Sequence, residues 1–175
     1  MSSPSSIQIA KLGGCHVTTT CSTANVELCE SLGADEVIDY KKESVLEALK
    51  QRKPFDHVVD NVGNHDLYWK AHEYTNPGAK VVYVAGTPTL SYASFSIQAR
   101  VRPSFLGGGK RQFVTLFAQP HLDELDKIGK WIADGKMKSV IDSKFEFDKA
   151  PEAFAKLKTS RAKGKIVVDV ALAEK

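Results

Sequence analysis

The sequence predicts an α/β fold, a parallel sheet with helices on both faces. Short β-branched runs alternate with helical periodicities along almost the whole chain, and glycines or prolines punctuate the joins. The chain also opens on a helix, Ser6 to Lys11, where folds of this type place a first strand and a Gly-rich turn. Met1 to Ser6 offers six residues and no glycine in that place. The expected sheet therefore lacks its usual first, central strand.

The elements follow in order. His16 to Cys21 is a short β-branched strand, and Thr23 to Leu32 is a helix with Val26, Cys29 and Leu32 at helical spacing and Gly33 as its stop. Glu36 to Tyr40 is the next strand, and Ser44-Val45-Leu46-Glu47 has the form of a capping box. Phe55 to Asp60 is a third strand and His65 to Tyr74 a helix. Pro77-Gly78 is expected to turn the chain into a fourth strand, Ala79 to Ala85. Thr87 to Ala99 reads as a loop or crossover and Gln112 to Ala118 as a fifth strand. Leu122, Leu125, Ile128 and Ile132 mark one face of an amphipathic helix. Val140 to Phe147 alternates like a strand, Asp148 is placed to cap a helix carrying Phe154 and Leu157, and Lys165 to Val170 is the last strand.

Composition narrows the classes of function. The 175 residues, 42% hydrophobic and 26% charged, suit one soluble domain, expected to span 1–175. Net charge is +3, and its lysines and arginines are dispersed, so a nucleic-acid partner is not expected. Lys110-Arg111 and Arg161 to Lys165, the densest basic spots, read as solvated loops. No apolar run approaches the roughly 20 residues of a membrane span, and no secretory leader is visible, so a cytoplasmic protein without a membrane partner is expected. Cys15, Cys21 and Cys29 show no metal-ligand spacing and are expected to be reduced; no metal site is expected.

Candidate chemistry gathers at strand ends, where open α/β sheets form their crevices. Asp60, Asn61 and His65 follow the third strand. Neutral His65 has the pKa range of a general base, with Asp60 or Asp66 to orient it; a water-exposed polar residue at a helix start is the plainer alternative. His57 and His72 fall inside elements and read as structural, and Tyr68, Trp69 and Tyr74 as packing. Neither a Gly-x-Ser-x-Gly elbow nor a His-Glu-x-x-His pair is present, which argues against serine hydrolase and zinc protease chemistry.

Seven segments in order carry a family resemblance: Ser31-Leu32-Gly33-Ala34-Asp35 before Val37 to Tyr40, Phe55-Asp56 with Asp60-Asn61-Val62-Gly63, Pro77-Gly78-Ala79-Lys80, Phe105-Leu106-Gly107-Gly108-Gly109, and Arg161 to Val167. With them the chain, from Ile7 to Val170, resembles the Rossmann-like cofactor half of the medium-chain dehydrogenase/reductase superfamily, in its zinc-free quinone and enoyl reductase branch. The resemblance implies that strands 140–147 and 165–170 return to a catalytic domain. It implies that Ser22 and Tyr40 hold the 2′-phosphate of NADPH, although Ala24 and Asn25 stand where a basic residue often assists. It further implies that Asn61, Val62 and Gly63 lie beside the riboses, Ala85 and Gly86 beside the nicotinamide, and that Phe105 and Leu106 close over it. The glycines serve equally as fold punctuation.

Without a phosphate loop, two or three charge-assisted contacts are missing, a loss of about 3 to 9 kcal/mol. The expected function is therefore a cofactor-independent enzyme, isomerising, cyclising or eliminating a largely apolar small molecule in the vacated groove, with no cofactor. An NADPH-dependent quinone or enone oxidoreductase and a noncatalytic binding protein are the alternatives. Strands flanking the missing one must pair directly, leave exposed edges or borrow a strand, and a homodimer is expected.

Overall fold

The protein is described by a computed structural model covering residues 4–84, 90–116, 121–159 and 162–170. Helix α1 (Pro4–Leu12) buries Ile7 and Gln8. It is followed by β1 (Thr18–Cys21), a 3-10 turn at Thr23–Asn25, α2 (Val26–Ser31) and β2 (Glu36–Asp39). Strands β1 and β2 pair in parallel, from Thr18 opposite Glu36 to Cys21 opposite Asp39. Next come α3 (Val45–Lys50), β3 (Phe55–Asp60), α4 (His65–Trp69), β4 (Thr75–Tyr83), α5 (Leu90–Val101) and β5 (Gln112–Thr115). These three strands form a second parallel sheet in the order β3-β4-β5. Helix α6 (Leu122–Ala133) precedes β6 (Ile141–Glu146), α7 (Ala150–Lys158) and β7 (Lys165–Asp169), and β6 pairs in parallel with β7.

Among the described residues strands β1 and β3 do not pair with each other. Strand β1 is an edge of the first sheet and β3 an edge of the second. The interior divides the same way. Ile7, Cys21 and Cys29 form one buried cluster; Tyr68, Ala71, Tyr74, Val81, Tyr83 and Phe95 form another, with no residue in common. Helix α1 is tied instead to the approach to β6. Gln8 Nε2 donates to Lys138 O at 3.0 Å, and Lys138 N donates back to Gln8 Oε1 at 2.7 Å.

Several local expectations are corrected. Leu90 to Ala99 is helical, within α5, although its apolar residues form no continuous stripe; Phe95 alone is buried among them. Pro77 and Gly78 lie inside β4, where the pairing with β3 shifts register between Phe55 and His57. Gly78 takes φ +87 there, a conformation costly for any residue with a Cβ. Ser44 occupies the N-cap of α3, but its hydroxyl makes no capping bond. Asp148 sits within a 3-10 turn, Phe147–Lys149, and the N-cap of α7 is Lys149. The helix beginning at His65 ends at Trp69 and passes into a 3-10 turn at Ala71–Glu73.

Candidate functional site

Parallel pairing sets the first part of the site. Because Cys21 stands opposite Asp39, the next residues, Ser22 and Tyr40, emerge side by side, and Tyr40 N donates to Cys21 O at 3.0 Å. Both turns are tied to Asp39, whose side chain is buried. It accepts from Thr23 Oγ1 at 2.6 Å and from Lys41 N at 3.0 Å. The Thr23 hydroxyl, aided by the Lys41 amide, holds this carboxyl below the usual range despite its burial. Ser22 is half-buried, and its Oγ accepts from Asn25 Nδ2 at 3.3 Å, leaving the hydroxyl proton for another acceptor. The Tyr40 ring is 44% exposed, with Lys41 Nζ 5.7 Å from its centroid.

Lys41 and Lys42, both exposed, follow Tyr40 directly, Lys41 Nζ lying over its ring and Lys42 Nζ 3.9 Å from Asp39 Oδ2. They are additions to the residues read from sequence, although their position directly after Tyr40 was a usable signal. The only acid among the strand-end residues Cys21, Ser22, Asp39 and Tyr40 is turned down onto Thr23 and the Lys41 amide. The exposed donors are hydroxyls and ammonium groups.

The second part follows β3. Asp60 Oδ1 accepts from Val62 N at 2.7 Å and Gly63 N at 2.8 Å, and Oδ2 accepts from Asn64 N at 2.7 Å. One carboxylate thus folds Asn61, Val62 and Gly63 into a tight loop. The buried Tyr83 hydroxyl closes it by donating to Asn64 O at 2.7 Å. Burial, followed by the Asp60 charge, pushes the Tyr83 phenol well above its ordinary pKa, so it stays a donor. Asn64 Oδ1 in turn caps α4 through Asp66 N and Leu67 N.

His65 begins α4 half-buried, stacked on Phe95. Among the described residues neither Asp60 nor Asp66 hydrogen-bonds its ring, so the expected orientation by a carboxylate is not formed. Asp60 is a loop former, Asn61 lies in the loop it builds, and His65 follows it. Phe105 and Leu106, 84% and 58% exposed, sit on a separate 3-10 turn, Ser104–Leu106, steadied by Arg102 Nε donating to Leu106 O at 2.7 Å. Ala85 and Gly86 lie outside the described residues. The structure therefore joins Ser22 with Tyr40, and Asp60 with Asn61, Val62 and Gly63, while Phe105 and Leu106 stand on their own element.

Burial, with Cys29 and Asp39 nearby, raises the Cys21 thiol to about 12. Among the described residues no cluster of His, Cys, Asp or Glu is arranged to hold a metal ion. No described helix is long and apolar enough to cross a membrane.

The profile of a zinc-binding dehydrogenase family matches residues 32–168. The trans-enoyl reductase pgmF of Aspergillus terreus is 51% identical over 170 residues, covering 94% of this chain and 47% of that protein. The human mitochondrial NAD(P)H oxidoreductase RTN4IP1 is 35% identical over 177 residues, covering 94% of this chain and 44% of its own length. The solved structure of the quinone oxidoreductase from Coxiella burnetii superposes with a TM-score of 0.76 at 28% identity, over 94% of this chain and 48% of that one. The chain spans about half the length of the curated relatives it matches. With an α/β fold like the Rossmann-like half of these proteins and a family profile covering most of its length, the chain belongs to the zinc-binding dehydrogenase family of the medium-chain dehydrogenase/reductase superfamily.

Proposed function

We propose that this chain forms the NADPH-binding half of a reductase for activated carbon–carbon double bonds, enoyl or quinone in class, in preference to the cofactor-independent chemistry expected from sequence. The observation that carries the reading is the pairing of Ser22 and Tyr40 at adjoining ends of β1 and β2, with Lys41 and Lys42 beside them. Two hydroxyl donors and two ammonium groups, with the nearby Asp39 carboxylate turned away, suit a phosphate monoester on a ribose. A ribose hydroxyl alone would call for an exposed acid at the end of β1, and Ser22 stands there. The names of the relatives, an enoyl reductase and two oxidoreductases, support the same class.

Each residue then has a task that its geometry suits. Ser22 and Tyr40 donate hydrogen bonds to the 2′-phosphate, and Lys41 and Lys42 balance its charge. The loop held by Asp60 presents Asn61, Val62 and Gly63 toward the riboses, its own backbone donors already used inward. Phe105 and Leu106 supply an apolar cover that keeps water from the reacting carbon. NADPH bound there would supply hydride chemistry for an activated carbon–carbon double bond, with the balancing proton drawn from solvent beyond that cover.

Calorimetric titration of the 175-residue chain with NADPH and NADH tests this. NADPH is expected to bind more tightly than NADH, and Ser22→Ala and Tyr40→Phe each to weaken NADPH by about tenfold, the loss of one charge-assisted hydrogen bond. Equal affinity for the two nucleotides, or no binding of NADPH, would overturn the reading.

A further inference from the structure

The stretch after Ser22 lacks a basic residue: positions 24 and 25 are Ala and Asn. The fold brings one from the far end of the chain. Lys163 Nζ donates to Ala24 O at 3.0 Å, across 139 residues of sequence. That bond uses one of the three ammonium protons, and Lys163 is exposed, so its remaining donors face solvent beside the Ser22 turn.

The segment presenting Lys163 is held from three sides. Lys163 N donates to Asp142 Oδ1 at 2.9 Å, and Lys165 N donates to Val140 O at 2.7 Å. Between them Gly164 lies so close to β6 that a Cβ there would fall 2.3 Å from Val140 O. Asp142 is itself nearly buried and ion-paired with Lys156 through its other oxygen. The lysine is thus carried by a braced turn, and the Asp142 carboxylate is the side chain that fixes the Lys163 backbone amide. Its stem runs along a cavity of about 460 Å³ that also meets Asn25, Leu28, Ile128 and Ile132. Asn25 Oδ1, buried and without a hydrogen-bond partner, lines the same cavity, so a polar group already waits there for a donor.

We propose that Lys163 completes the 2′-phosphate site and sets the preference for NADPH over NADH, with Asp142 as its positioning residue. The inference rests on the NADPH reading above and assigns its specificity to the turn into β7. Lys163, Lys41 and Lys42 then surround the Ser22 and Tyr40 hydroxyls with three cations, a countercharge that a dianionic phosphate uses and a free ribose hydroxyl does not. Because the ammonium is exposed, it discriminates as a point charge, and its contribution is screened by salt.

The test is binding of 2′,5′-ADP, NADPH and NADH to the full chain by calorimetry, at low and at near-physiological salt, with thermal melting as a folding control. Lys163→Ala is expected to weaken 2′,5′-ADP and NADPH by about tenfold at low salt and less at higher salt, leaving NADH unchanged. Lys163→Arg is expected to restore most of the loss. Asp142→Asn is expected to give a smaller loss of the same kind, confined to the phosphorylated ligands. If wild type binds 2′,5′-ADP and Lys163→Ala binds it equally, or if the loss extends equally to NADH, the assignment of Lys163 is overturned and the NADPH reading stands. If wild type does not bind 2′,5′-ADP, both are overturned.

Discussion

The imidazole of His65 lies flat against the ring of Phe95, with centroids 3.8 Å apart and planes 6° from parallel. Phe95 is 4% exposed and also meets Tyr68, Trp69, Tyr83 and Phe113. It is the residue of α5 buried in the second core, with Tyr92 and Ala99 packed against the same cluster. Phe95→Ala is expected to cost about 3 to 5 kcal/mol, lowering the melting temperature by roughly 10 °C. His65→Ala removes only the stack and is expected to cost about 1 kcal/mol. Thermal unfolding followed by circular dichroism checks both, and equal shifts would show that the ring pair, not the wider cluster, anchors the helix.

Asp60 invites a different experiment, because its three backbone bonds make it easy to mistake for a reacting group. Asp60→Ala is expected to destabilise the chain by about 2 kcal/mol and to speed amide exchange at Val62, Gly63 and Asn64. His65→Ala is expected to leave those amides protected. Hydrogen exchange read residue by residue distinguishes the loop former from its neighbour; unchanged protection in Asp60→Ala would contradict the role.

What could be read from the sequence depended on the range of the interaction that mattered. The strand Phe55 to Asp60 is legible to the residue because a β-branched run with turn signals on both sides is a local signature. Ser22 and Tyr40 are legible as a pair only through the family resemblance; the structure sets them side by side because each follows a strand end and β1 pairs with β2. Helix α5 is hidden because one aromatic anchors it, while Leu90, Ile97 and Val101 remain exposed and blur the period. Asp148 looks like a cap because its type is right, but the chain spends it on a 3-10 turn before Pro151 opens α7. Lys163 is beyond reach for a plain reason: its contact at Ala24 exists only once β7 is in place.

Alkaline stability should follow the buried phenols. Burial, reinforced by the Asp60 charge, raises Tyr74 to about 12, and its hydroxyl donates to Leu67 O at 2.9 Å. The folded state thus holds this proton more tightly than the unfolded chain, whose tyrosines ionise near pH 10. Its contribution is complete below about pH 10 and is lost as pH rises toward 12. Denaturant midpoints measured from pH 9 to 12 are expected to fall across that window, and less steeply in Tyr74→Phe. An identical slope in the variant would assign the loss to other groups.

Self-association is the expected consequence of the edges that β1 and β3 present. On β3, Asp60 O accepts from Val84 N, so alternation along the strand turns the backbone groups of His57 and Val59 away from β4. On β1, Val17 O and Cys21 O accept from the β2 side, which turns Thr18 and Thr20 the other way. Both edges thus present peptide donors and acceptors, and Val59 adds a side chain that is 52% exposed. Such edges recruit strands from other chains unless a charge interrupts them. Light scattering at micromolar concentration is expected to report a dimer or larger species for the 175-residue chain, and Val59→Lys to shift it toward monomer with little change in melting temperature. A wild-type monomer across that range would mean that the flanks of β1 and β3 already shield these edges. Persistence of the dimer in Val59→Lys would place the contact on another surface.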